Sequence, residues 1–199
     1  MSPSTDTREN RQFALEMKFL VGRAVGAQIC EWARGHLLPD PHAAGESGDG
    51  YTITSLYFDT AQFDVFHRRG SFGRCKYRIR RYGECQAVFL ERKLRTRGML
   101  TKRRSVIPLT ALEELTGAEA CSGWPGYWYH RRLLARGLEP VCQISYDRTA
   151  RVAMTQYGPI RLTLDDKLRA SEAPGLWFGD TSGTSLLPDE LILELKFCF

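Results

Sequence analysis

KYRIRRYG, residues 76–83, sets Lys76, Arg78 and Arg80 at every second position, with Tyr77 and Ile79 between them. In a strand, successive side chains point to opposite faces, so the three cations share one face and the apolar pair takes the other. An ordinary soluble sheet buries its apolar face and wets its charged one. Whether that rule holds here depends on how many other strands repeat the pattern.

Many repeat it. In RQFALEMKFLV (11–21), Phe13, Leu15, Met17 and Phe19 alternate with Ala14, Glu16 and Lys18. In AVFLERKLR (87–95), Val88, Leu90 and Leu94 oppose Glu91, Lys93 and Arg95. IRLTLDD (160–166) sets Ile160, Leu162 and Leu164 against Arg161, Thr163 and Asp165, and LILELKF (191–197) sets Leu191, Leu193, Leu195 and Phe197 against Glu194 and Lys196. ISYDR (144–148) puts Tyr146 and Arg148 on one face. For any single strand a solvated outer face is explanation enough. Roughly eight strands agree, however, and their charged faces favour Arg over Gln, Ser and Thr.

Those faces hold about eleven cations: Lys18, Lys76, Arg78, Arg80, Lys93, Arg95, Lys102, Arg104, Arg148, Arg161 and Lys196. About four carboxylates stand against them: Glu16, Glu91, Asp165 and Glu194. Side by side on an open sheet, like charges repel. Eight strands can instead close into a barrel, with helices over the apolar outside and the cations lining a wet anion channel. The expected fold is α+β: an eight-stranded antiparallel closed tunnel barrel with a charged interior.

The 199 residues, 43% hydrophobic and 26% charged, suit one globular domain with a real core. The chain reads as a flexible, polar N-terminus over 1–10 and a single domain over 11–199. A helix is expected within 21–37, where Val25, Ile29 and Trp32 recur at helical spacing, and another within 110–137. There Trp128, Leu133 and Leu134 would cover the barrel. PDPHAAGESGDG (39–50) reads as a loop and 171–189 as another. Six cysteines show neither a C-x-x-C pair nor ligand-like spacing with the four histidines. With no signal peptide, they read as reduced thiols of a cytoplasmic protein. No apolar run approaches the ~20 residues of a membrane-spanning helix. RRGSFGRCK (68–76) lacks the P-loop spacing. Nucleic acid is an unsuitable partner, because the cation faces carry few aromatics on which bases could stack.

LEMKFLV, TSLYFDTAQFDVF, KYRIRRYG, VFLERKLR, TKRRSVI, ISYDRTARV, IRLTLDDKL and LILELKF, in this order, resemble the VTC domain. That is the polyphosphate polymerase branch of the triphosphate tunnel metalloenzyme (CYTH-like) superfamily. The resemblance implies a tunnel in which basic side chains grip a chain of phosphates and a carboxylate-held Mn²⁺ or Mg²⁺ sits at the reacting phosphate. It assigns phosphate contacts to Lys18, Arg78, Arg80, Lys93, Arg148 and Arg161, with Tyr146 as a hydroxyl donor and Lys102, Arg104 and Lys196 on the same faces. It assigns the metal to Glu194, with Glu16, Glu91 and Asp165 as supporting carboxylates. Asp165 and Asp166 could hold metal or could orient Arg161 and Lys167. Ala14 stands where the wider superfamily opens on the first Glu of E-x-E-x-K, which points away from its two-metal hydrolases and cyclases. The family usually continues past the L-E-L-K strand into a helix, so a domain lacking that segment is expected here.

The implied function is transfer of the terminal phosphate of ATP to inorganic polyphosphate. A metal-dependent tripolyphosphatase and a non-catalytic polyphosphate-binding module are the alternatives. Partners are then ATP and polyphosphate or triphosphate, and a membrane protein that takes the product remains open.

Overall fold

The computed structural model describes residues 6–11, 14–40, 48–96 and 99–198. Phe13, the 41–47 part of the expected loop with His42, and Phe199 lie outside them. The strands are β1 (Asp6–Arg11), β2 (Ala14–Gly22), β3 (Leu38–Pro39), β4 (Gly50–Asp59), β5 (Cys75–Tyr82), β6 (Ala87–Thr96) and β7 (Met99–Pro108), followed by β8 (Glu139–Thr155), β9 (Gly158–Glu172), β10 (Thr184–Ser185) and β11 (Glu190–Cys198). Helix α1 spans Arg23–His36 and α2 Tyr127–Arg136, with 3₁₀ turns at Gly70–Arg74 and Leu109–Thr116. The fold is α+β, and the pairs β1–β7, β2–β11, β9–β11, β5–β6 and β6–β7 are antiparallel.

Two parts of the expectation are corrected. Hydrogen bonding runs in the order β1-β7-β6-β5-β4-β8-β9-β11-β2, with β3 on β8 and β10 on β9, which makes eleven strands among the described residues and not eight. Among the described residues no ladder joins β1 to β2, so hydrogen bonds do not close the sheet into a barrel. The surplus strands have physical reasons. β3 and β10 are two residues long, too short to show a period. β1 is polar throughout, yet it pairs with β7 from Asp6↔Ser105 to Arg11↔Leu100.

The chain divides into two compact units. The first contains residues 54–144, 171–181 and the N-terminal 1–12; the second contains 13–53, 145–170 and 182–199. In the first, the alternation of β5 and β6 sends Tyr77, Ile79, Val88 and Leu90 into a core with Leu56, Phe58 and Ile107. Tyr129 and Leu133 of α2 and Leu112 and Leu115 of the 3₁₀ turn complete it. Helix α2 covers the apolar face as expected, with Trp128 packed on the core while it donates Nε1–H to Ser105 Oγ at 2.6 Å, although Leu134 is exposed. The helix ends at Gly137, whose left-handed backbone (φ +56°) lets its N–H turn back to the carbonyls of Leu133 and Leu134.

In the second unit Leu162, Leu164 and Leu193 bury against Ala33, with Ile29, Cys30, Leu191 and Leu195 around them. The expected helical period is present, but the buried stripe of α1 runs through Gly26, Ile29 and Ala33, leaving Val25 and Trp32 exposed. Gly26 permits this close approach, because a Cβ there would stand 3.0 Å from Leu191 Cδ1. Leu15, Met17 and Phe19, whose face was expected to lie on the apolar outside under a helix, are each about 40% or more exposed. Cys30, Cys75, Cys85, Cys121 and Cys142 are free thiols. No described helix is long and apolar enough to cross a membrane.

Candidate functional site

The register of the first unit arranges the charged residues in rows. Lys76 pairs across β5–β6 with Lys93, and Lys93 across β6–β7 with Lys102. The next row is Arg78, Glu91, Arg104, and the next begins with Arg80 opposite Phe89. One parity on three strands thus collects seven cations, Arg95 with these six, as the alternation implied, and among them a carboxylate only 1% exposed. Glu91 Oε2 accepts from Arg78 Nε at 2.6 Å, and Oε1 lies 2.9 Å from Arg104 Nε and 3.5 Å from Lys102 Nζ. Glu91 is the counter-ion of this cluster.

Its neighbours hold the guanidiniums in place. Arg78 donates to Tyr57 Oη at 3.3 Å, Arg80 to Ser55 Oγ at 3.3 Å, and Arg104 to Tyr82 Oη at 2.7 Å. Arg104 also lies 3.9 Å from the Phe89 ring centroid. Burial would push the Tyr57 and Tyr82 hydroxyls upward, yet both fall below the usual phenol range, because Arg78, Arg80 and Lys76 act on the first and Arg80 and Arg104 on the second. Burial also opposes ionisation of Glu91, and Arg78, Lys102, Arg80 and Arg104 outweigh it, holding the carboxyl well below its usual range. These three groups report one strongly positive field.

The second unit carries its cations differently. β11 pairs with β2 so that Glu194 faces Lys18 and Lys196 faces Glu16, and with β9 so that Thr163 sits beside Glu194 and Arg161 beside Lys196. Glu194 lies 2.9 Å from Lys18 Nζ and 2.6 Å from Lys196 Nζ; Glu16 lies 3.2 Å and 3.6 Å from the same two. Burial raises Glu194, and Lys196 and Lys18 more than reverse it, so the carboxyl lies well below its usual range. Arg148 grips Asp165 with two bonds of 2.6 and 2.7 Å, over the Tyr146 ring. Arg161 reaches Asp40 at 2.8 Å and Tyr51 Oη at 2.9 Å.

Here four cations meet four carboxylates and the local charge is balanced. Asp165 therefore holds Arg148, not Arg161 or Lys167 as one reading had it, and Asp166 accepts from Arg23. The structure brings Arg78, Arg80, Lys93, Lys102 and Arg104 together in one unit, and Lys18, Tyr146, Arg148, Arg161 and Lys196 in the other. Sequence reasoning passed over Ser55, Tyr57, Tyr82, Asp40 and Tyr51. Tyr82 was findable, since it continues the even-numbered face of KYRIRRYG; Asp40 lies at the start of the 39–50 loop, which has no period to read.

Among the described residues no three His, Cys, Asp or Glu side chains gather as a ready-made metal cluster. Two carboxylates, Glu16 and Glu194, do face each other across the two lysines. Thr163 Oγ1, in register with Glu194, is buried with no hydrogen-bond partner among the described residues. Such a set of hard oxygens fits one Mg²⁺ or Mn²⁺ that takes its remaining ligands from water and phosphate.

The sequence profile of the VTC domain matches residues 13–198. The chain belongs to the VTC domain family. No curated protein matches it. Among solved structures, a Bacillus halodurans protein assigned as an adenylate cyclase shares this VTC domain's fold, at 17% identity and TM-score 0.55 over 94% of this chain and 81% of that one. A Pyrococcus horikoshii protein has TM-score 0.49 at 13% identity, over 94% and 78% of the two chains. A Hippeastrum protein assigned as an adenylyl cyclase, and credited with a dominant triphosphatase activity, has TM-score 0.49 at 15%, over 94% and 80%.

Proposed function

We propose that this VTC domain is a metal-dependent polyphosphate polymerase, moving the terminal phosphate of ATP onto a growing inorganic polyphosphate chain. The family supplies the tunnel chemistry, and one observation carries the assignment to this chain: the excess of seven cations over the single carboxylate, Glu91, on one face of β5 to β7. A phosphate chain brings about one negative charge per unit, and guanidinium forks bind its oxygens bidentately. Arg78, Arg80, Lys93, Lys102 and Arg104 are the principal grip. Lys18, Arg148, Arg161, Lys196 and Tyr146 contribute from groups already paired within the protein, so phosphate there competes with Glu16, Glu194, Asp165 and Asp40.

The division of charge suggests a division of labour. Phosphoryl transfer depends mainly on positioning and on charge stabilisation in the transition state. The positive unit positions the chain and neutralises its charge. In the balanced unit, Glu194 with Glu16 and Thr163 would hold the divalent ion, which when bound screens the reacting phosphate. Lys18 and Lys196 are there to shift from carboxylate to phosphate oxygens. Two carboxylates suit one hard cation better than two.

The test is incubation with ATP and Mn²⁺ or Mg²⁺, with products resolved by chain length. Long polyphosphate is the expected product. Free phosphate alone would instead establish a hydrolase, and tight polyphosphate binding without turnover a binding module.

A further inference from the structure

Opposite in character to the basic cluster, and within the same unit, lies a groove of about 710 Å³. It runs between the 3₁₀ turn Leu109–Thr116, the start of β8 and the segment 173–178. Leu109, Leu112, Leu176 and Phe178 form much of its wall. Trp177 stands in it 60% exposed, while its neighbours Leu176 and Phe178 pack onto the core. The segment is tied down from behind by Gln143, 2% exposed, which accepts from Gly179 N–H at 2.9 Å and donates to Asp180 O at 2.7 Å. Gly175, at φ +142°, lets the indole ring lie directly on the backbone: a Cβ there would meet the ring. The indole thus rests on the Gly175 backbone and remains 60% exposed.

The charge in the groove is reversed relative to the chain as a whole, which carries +5. Glu113 and Glu139 line it, and among the described residues neither makes an ion pair. Its cation, Arg81, is already engaged by Glu84 at 3.0 Å and by the Cys85 carbonyl. A phosphate chain would meet two repelling carboxylates there and one cation already paired.

We propose that this groove is a binding site for a small organic cation: an aromatic or aliphatic body seated against Trp177 and the leucines, its ammonium directed to Glu113 and Glu139. The volume falls in the range of small-molecule sites, roughly 300–1,000 Å³. An exposed indole face next to carboxylates is the arrangement that attracts a desolvated cation.

Phenethylammonium, neutral phenethyl alcohol and anionic 3-phenylpropionate form the test set, titrated into the full chain by calorimetry and ligand-observed NMR. Saturable binding is expected for the cation alone, weakened about three- to fivefold by Trp177→Ala and about tenfold by Glu113→Gln with Glu139→Gln. Tripolyphosphate affinity should be the same in all these variants, which shows that they are folded and separates this site from the polymerase reading. Absence of cation binding, equal binding of the anion, or an unaffected Trp177→Ala variant would each overturn the proposal.

Discussion

Glu91→Gln isolates the counter-ion at the heart of the basic cluster. The substitution keeps the shape of a side chain that is 1% exposed and removes its charge. Three cations lose their carboxylate neighbour: Arg78, 15% exposed and 2.6 Å away, and Arg104 and Lys102, each about a quarter exposed. Removing one member of a buried pair costs about 3–5 kcal/mol, because the other is left desolvated and uncompensated. Arg78 carries that penalty. Arg104 and Lys102 can rehydrate, so each adds no more than about 1 kcal/mol. For a chain of this size the loss should lower Tm by on the order of 10 °C. The same substitution removes the buried negative charge among these cations, so tripolyphosphate should bind the variant more tightly than the parent. Its rescue of Tm should be correspondingly larger. Melts with and without tripolyphosphate measure both effects. A variant as stable as the parent, or destabilised but not preferentially rescued, would refute the description of Glu91 as counter-ion to a phosphate grip.

Arg148→Lys replaces a two-bond grip on buried Asp165 with a point charge, and should lower stability by about 2–3 kcal/mol in urea melts while tripolyphosphate affinity falls less than for changes at Arg80. Asp49, fully buried between Arg34 and Arg151, pairs with no proposed phosphate or metal ligand; Asp49→Asn should cost about 3 kcal/mol of stability and leave phosphate affinity within about twofold. Glu91 and Glu194 have folded values below the ordinary carboxylate range, so their contribution is complete above their unfolded values and is lost as pH falls through the folded ones. Stability should therefore decline between about pH 5 and pH 2, and Glu91→Gln should flatten that limb. Glu194→Gln should abolish Mn²⁺-dependent turnover while metal-free tripolyphosphate binding persists or tightens; unchanged dependence of turnover on Mn²⁺ would remove Glu194 from the metal site.

The parity of KYRIRRYG was enough to place Lys76, Arg78 and Arg80 on one face, because period-2 alternation survives any choice of neighbouring strand. The same logic put Glu91 and Lys93 beside them. What alternation cannot carry is register. That Glu91 stands between Arg78 and Arg104, or that Arg148 closes on Asp165, depends on how β5, β6, β7, β8 and β9 slide against one another. The split between a positive unit and a balanced one was hidden for that reason, and because Asp40 comes from outside the strands. Helix α1 shows a second limit: its period was visible, but small Gly26 and Ala33, not Val25 and Trp32, face the sheet, since close packing favours the flatter stripe. β1 was invisible because an all-polar strand has no apolar face to betray it.

The central claim is that the cations of β5 to β7 hold a phosphate chain. Calorimetric titration of tripolyphosphate into the parent, Arg78→Ala and Arg80→Ala tests it directly. Truncating one member of a desolvated, charge-assisted pair costs roughly 2–5 kcal/mol, so each variant should bind at least about tenfold more weakly than the parent. If both variants bind tripolyphosphate as the parent does, the row of cations is structural and the phosphate reading is contradicted.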